Sequence, residues 1–215
     1  MEIVINRAGS LSISTEATES GKVKIYHSDG LIISDNLDQN GNYESEPLLE
    51  GSYSVIVSAE SNGMEYSDSS IVQVIADQSK TVTLNPMQNK NDLRVKVTNR
   101  GVYDYSISDY VYTPIAGVNV GIVRAEKYWD FYWVNRTEII QNLQMNAITN
   151  SSGQVTFNDL PTYDNEFGIR TGESSSLFMI IIMNNAKTKI IETQEVLVHY
   201  GDMPEFSLSI YQDEL

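Results

Sequence analysis

The chain has 215 residues, no cysteine and two histidines, and its 29 acidic against 14 basic residues leave a net charge of −15. That composition excludes a disulfide scaffold, a thiol nucleophile and every thiolate metal site. It leaves little for zinc or histidine catalysis, and it would repel a phosphate backbone, so no nucleic-acid partner is expected. With 41% hydrophobic residues there is enough apolar side chain for a packed core, and the length allows one large domain or two small ones.

The first residues, Met1-Glu2-Ile3-Val4-Ile5-Asn6-Arg7, lack the basic leader and apolar stretch of a secretory signal and already alternate like a strand. They predict a protein that is not exported by the usual route, unless a leader has been removed upstream. The longest apolar run, Leu177–Met183, falls far short of the ~20 residues that cross a bilayer, so no membrane insertion is expected.

Period-2 alternation dominates the rest of the chain. Lys22–Tyr26, Tyr53–Val57, Val72–Ile75 and Thr81–Leu84 are short, rich in β-branched residues and separated by turn residues. Asn85-Pro86-Met87-Gln88-Asn89-Lys90-Asn91-Asp92 reads as a linker, because proline stops the strand and the polar run packs poorly. Beyond it the same style resumes in Leu93–Val97, Val118–Ile122, Val155–Phe157 and Phe206–Ile210. Leu177–Met183, ended by Asn184-Asn185, predicts a central strand covered on both faces. The boundaries are therefore a first sandwich over 1–88 and a second over 89–215, with an insertion at about 126–147.

The halves repeat weakly. Asp38-Gln39-Asn40-Gly41-Asn42-Tyr43 is followed by Leu48-Leu49 and Gly51-Ser52-Tyr53. In the second half Asn150-Ser151-Ser152-Gly153-Gln154-Val155-Thr156-Phe157 is followed by Leu160-Pro161 and Phe167-Gly168-Ile169. The negative charge is spread almost evenly between the halves. Pro114-Ile115-Ala116-Gly117-Val118-Asn119-Val120, the Gly153 turn and Leu160-Pro161 resemble the prealbumin-like (transthyretin-like) sandwich domains. These include the carboxypeptidase regulatory-like and Cna protein B-type repeats. Gly21–Ile25, Asp38–Tyr43 and Leu49–Tyr53 carry the same resemblance in the first half. Tyr163-Asp164-Asn165-Glu166 departs from it, standing where the family has a tight Gly-Tyr corner. The resemblance implies an all-β chain of two tandem Ig-like or prealbumin-like β-sandwiches, the second carrying an aromatic and short helical insertion. It also implies a binding, spacing or assembly role.

Candidate chemistry is sparse. Asn36-Leu37-Asp38-Gln39-Asn40-Gly41 starts like a calcium loop, but Pro47 stands where a ligating glutamate belongs, so an Asn-Gly turn is the better reading and no metal is expected. His27 and His199 stand in or beside strands, no nucleophile elbow occurs, and no catalytic residue or cofactor is expected. An isopeptide bond, known among Cna-type repeats, would need a lysine such as Lys22, Lys24, Lys80 or Lys96. Each is equally explained as the polar side of a strand, so none is assigned.

The insertion is the most informative stretch. Tyr128, Trp129, Phe131, Tyr132 and Trp133 fall within six residues and form the candidate partner-binding patch. Asn135 and Glu138 then predict the start of a helix whose apolar face is Ile139, Ile140 and Leu143. The aromatics are expected either to anchor a partner or to cover an open sandwich edge or side core. A second tyrosine set, Tyr103, Tyr105, Tyr110 and Tyr112, predicts a strand pair before Pro114. Taken together, these features predict a non-enzymatic structural protein whose partners are other protein subunits of a larger assembly, with a surface glycan as a further candidate. The expected setting is a bacteriophage virion, as a tail, collar or capsid-decorating protein. The alternatives are a bacterial surface or periplasmic adhesion protein, and a carbohydrate-binding accessory module resting on Trp129 and Trp133.

Overall fold

The computed structural model describes residues 7–15, 21–162, 175–199, 201 and 204–215. The corner at Tyr163–Glu166, the strand expected at Phe167–Ile169 and the alternation of residues 1–6 lie outside them. The architecture is all-β, with Ig-like sandwiches. The described residues up to Lys90 form one compact unit, and those from Asn91 onward form a second.

In the first unit the sheets are built around β1 (Ala8–Thr15) and β6 (Gly51–Ser61). β1 pairs in parallel with the last strand of the unit, β8 (Ser79–Leu84). Its other edge pairs antiparallel with β4 (Asn42–Glu44) and β5 (Leu48–Leu49). The facing sheet runs β3-β2-β6-β7, where β2 is Lys22–His27, β3 is Gly30–Asn36 and β7 is Met64–Val74. Asn62 and Gly63, both at positive φ, close the β6–β7 hairpin in the mirror-image turn that suits right-twisted strands. Period-2 alternation sends Leu11 and Ile13 inward from one sheet against Val23, Ile25, Val55, Val57 and Val72 of the other. The same alternation puts Lys22 and Lys24 opposite the buried Val23 and Ile25, and Lys96 between the buried Val95 and Val97. Lys80 stands exposed at the start of β8.

The second unit repeats this strand order. Its smaller sheet is β14-β9-β17, with β9 (Lys90–Asn99) pairing in parallel with the closing strand β17 (Glu205–Ile210), and β14 spanning Gln154–Pro161. The larger sheet is β13-β12-β15-β16, formed by β13 (Met145–Ile148), β12 (Asn119–Arg124), β15 (Ser175–Met183) and β16 (Ile190–His199). Between β9 and β12 stands a separate hairpin of β10 (Val102–Asp104) and β11 (Asp109–Val111).

The sequence repeat is visible atom by atom. Asp38 Oδ1 accepts from the amides of Asn40 and Asn42, both at 2.8 Å. Asn150 Oδ1 accepts likewise from Ser152 and Gln154, at 2.9 and 3.0 Å. In each copy the glycine between these two amide donors, Gly41 or Gly153, has positive φ. Its carbonyl accepts from the first strand of its own unit, from Thr15 N at 2.9 Å and from Val97 N at 2.7 Å. The calcium-like run is thus a side-chain-capped turn that uses its own carboxylate.

Gly153 has φ +70°, and a Cβ there would lie 2.5 Å from the Val97 carbonyl oxygen. Gly117 has φ +80° with open space around it. Both alanine variants should pay the left-handed backbone cost, about 1–3 kcal/mol. Gly153→Ala should cost clearly more than Gly117→Ala in denaturant unfolding, because it must also displace β9.

Candidate interaction surface

Every residue of β12 is buried, as is β15 from Ser176 to Met183 apart from the half-buried Leu177. β15 lies between β12 and β16, so both of its edges are paired. Its two faces have different covers. Met179, Ile181 and Met183 join Val123 of β12 in a side core capped by two short helices, α1 (Ala125–Tyr132) and α2 (Arg136–Gln141). The alternate residues Phe178, Ile180 and Ile182, all fully buried, belong to the opposite face. The central strand covered on both faces, expected from its unbroken apolar run, is what forms.

The helices arise where the sequence changes period. The aromatic segment, expected as a lead-in to a helix, is itself helical and is α1. Asn135 does start a helix: its Oδ1 accepts from Thr137 N at 3.1 Å and its Nδ2 donates to Glu138 Oε1 at 3.2 Å. Ile139 enters the side core completely, with Ile140 and Leu143 at its margin. Gly121 makes room for this cap, since a Cβ there would lie 2.5 Å from Leu143 Cδ1.

The candidate patch divides along the helix. Tyr128, at 3% exposure, packs into the side core. Phe131 and Tyr132 are half-buried at its margin. Trp129 and Trp133 face solvent, at 44% and 81% exposure. Edge-to-face contacts tie these rings to the core residues. Tyr128 and Trp129 stand 5.0 Å apart at 84°, and Tyr132 and Trp133 stand 4.9 Å apart at 87°. The exposed indoles are therefore held on a rigid support.

The tyrosine hairpin is a second exposed aromatic surface; the sequence predicts its strands but not its exposure. Tyr103 lies directly opposite Tyr110, with ring centroids 5.2 Å apart, and Tyr105 packs on Tyr103 at 5.0 Å. The ring of Tyr112 lies over Gly101. All four tyrosines are exposed, Tyr105 to 88%, and so are Val102 and Val111 on the other side of the ribbon. Tyr103 and Tyr110 lie in the paired strands, while Tyr105 stands in the turn and Tyr112 just past β11; the clustering of tyrosines at 103, 105, 110 and 112 is the available signal. The base is held by Asn99, whose amide donates to Thr113 O at 2.9 Å and whose Oδ1 accepts from Thr113 N at 2.7 Å. At the tip, Asp104 Oδ1 accepts from the Ser106 hydroxyl at 2.6 Å and amide at 2.8 Å. These donors hold the Asp104 carboxyl below the usual aspartate range.

Among the described residues, no three His, Asp or Glu side chains are grouped to hold a metal ion, and no helix is long and apolar enough to cross a membrane. His27 and His199 belong to different units. His27 Nδ1 stands 3.7 Å from Asp29, and its ring packs against Tyr53.

No family model matches the sequence, and no curated protein does either. Solved structures similar to the chain include GBS52, the minor pilin of Streptococcus agalactiae, at TM-score 0.47 and 13% identity over 94% of each chain. Another is the fimbrial anchor protein Mfa2 of Porphyromonas gingivalis, at TM-score 0.41 and 9% identity, covering 87% of this chain and 82% of that one. A third is the Bacillus anthracis TIE protein, at TM-score 0.32 and 13% identity; 95% of this chain matches, but it spans 34% of that protein.

Tyr128→Ala should cost about 3–5 kcal/mol in chemical denaturation, the range for emptying a buried aromatic site. Trp133→Ala should stay within about 0.5 kcal/mol of the parent, as exposed substitutions do. For the hairpin tip, a depressed carboxyl stabilises the turn fully above the usual aspartate range, and that contribution is lost as pH falls through the lowered value. In an NMR titration the Ser106 amide should therefore hold its position at pH values where free aspartate already protonates.

Proposed function

We propose that the protein is a non-enzymatic assembly or adhesion component of a bacterial cell surface, joined to other protein subunits through the tyrosine hairpin and the Trp129–Trp133 pair. The observation that carries this reading is the exposure of Tyr105 and Trp133, at 88% and 81%, on scaffolds that keep them in place. Large rings with few rotatable bonds gain much area and lose little entropy when a partner covers them, which is why interfaces concentrate their energy there. Each sandwich unit supplies a packed support for its surface residues, and the strand order repeats between the units.

The pilin and fimbrial anchor among the similar structures agree with a surface setting and do not support the virion expected from the sequence. A fluorescent antibody against the protein should label intact source cells, and mild cross-linking should recover the chain in high-molecular-weight assemblies. Tyr105→Ser combined with Trp133→Ala should abolish that recovery while leaving the melting temperature unchanged. Recovery only inside the cell or in phage particles, or assembly unaffected by the double change, would overturn the reading. Because the chain carries −15, association with a basic partner should also slow as salt rises.

A further inference from the structure

In this acidic chain, two cations open onto one cavity. A pocket of about 410 Å³ in the second unit is lined by Tyr128, Tyr132, Arg136, Thr137, Lys189 and Thr193, among others, between the helical cap and the start of β16. Its volume lies within the range of small-molecule sites. The Arg136 guanidinium stacks on the Tyr132 ring at 4.1 Å. Stacking fixes the plane and leaves the N–H edges available for in-plane pairing with a carboxylate. No ion pair joins Arg136 or Lys189 to an acid among the described residues, although acids outnumber bases two to one. Glu192 also lines the cavity, but its Oε1 accepts from Thr193 N at 3.1 Å and is tied to its own strand.

We propose that this cavity binds an acidic sugar, a pyranose bearing a ring carboxylate, with Arg136 and Lys189 holding the carboxylate. Tyr132, lying under the guanidinium, would keep Arg136 oriented, and Thr137 and Thr193 at the pocket wall would bond to sugar hydroxyls. Two features favour a compact ligand of this kind. A net charge of −15 opposes a long polyanion, so an anion must be held by local contacts rather than by the overall field. β16 is an edge strand, yet Ile191 is the extra residue of a bulge in its pairing with β15: Ile190 pairs with Met183, and Glu192 with Ile182. That bulge, at the pocket wall, interrupts the regular edge that an acidic peptide would need to add as a strand. The site adjoins the Trp129–Trp133 surface through Tyr132, but neither indole lines it, and the proposal does not rest on the assembly role.

The test is ligand-observed NMR and calorimetry on the full chain, with D-glucuronate, N-acetylneuraminate, D-glucose, inorganic phosphate and an acetylated glutamyl tripeptide as probes. One of the acidic sugars should bind saturably, with glucose at least tenfold weaker. Arg136→Gln with Lys189→Gln should weaken it at least tenfold at unchanged melting temperature, and Glu192→Gln should strengthen it. Tyr105→Ser, on the tyrosine hairpin, should leave it unchanged, so this result is independent of the proposed assembly role. Failure of both acidic sugars to saturate, or equal binding of glucose, would overturn the proposal. So would binding that survives the double cation change, or phosphate or the peptide binding as tightly as the sugar.

Discussion

The arrangement of the second unit depends on one constraint: the two inner strands of its larger sheet, β12 and β15, bury both of their faces. A strand such as Leu177–Met183 offers apolar side chains on either side, and a sandwich covers only one. The outer face needs a second cover, and the segment between β12 and β13 provides it as two short helices closing over Met179, Ile181 and Met183. The cap is anchored from below by Tyr128 and Ile139 and seated by Gly121, which leaves room for Leu143. Once those contacts are made, helical geometry carries Trp129 and Trp133 to the outside, because residues one and five positions past Tyr128 do not share its inward direction. A packing requirement thus determines which rings a partner can reach.

The second organising feature is the closing strand. In both units the first and last strands pair in parallel, and a side-chain-capped turn bonds the first strand through the carbonyl of a left-handed glycine. The parallel strand adds buried apolar side chains at an edge, while the turn sets where β4 and β14 begin relative to β1 and β9. Asp38 and Asn150 perform the same task with different chemistry, since the turn needs an oxygen acceptor and not a charge. The run that resembles the opening of a cation site in the first half is structural, and the second half, with its neutral asparagine, makes the reason visible.

The surface combines a general negative field with local departures from it. Carboxylates spread over both units favour solubility and discourage contact with polyanions. The tyrosine hairpin is an exposed aromatic ribbon stabilised by its own cross-strand ring pairs and a hydrogen-bonded base. The helical cap adds two indoles on one side and, beside β16, a cavity with two cations. These departures sit on insertions to a shared strand order rather than on the strands themselves. That is where a sandwich can change its ligand without changing its core.

The sequence by itself determined the strand content, the polar turns at Gly41 and Gly153, the doubly covered strand and the helix start at Asn135. Each depends on local periodicity, or on a side chain reaching a backbone group a few residues away. It also anticipated the strand pair that carries Tyr103 and Tyr110, although Tyr105 falls in the turn and Tyr112 just past β11. The tertiary structure decided which aromatics are buried, because Tyr128 and Trp129 differ only in the direction each takes from the same helix. Nor could the sequence show that the tyrosine ribbon stands open on both sides. The meeting of Arg136 with Lys189, 53 positions apart in the chain, likewise exists only after the cap has folded against β16. Periodicity reports which residues share a face; it does not report what, if anything, covers that face.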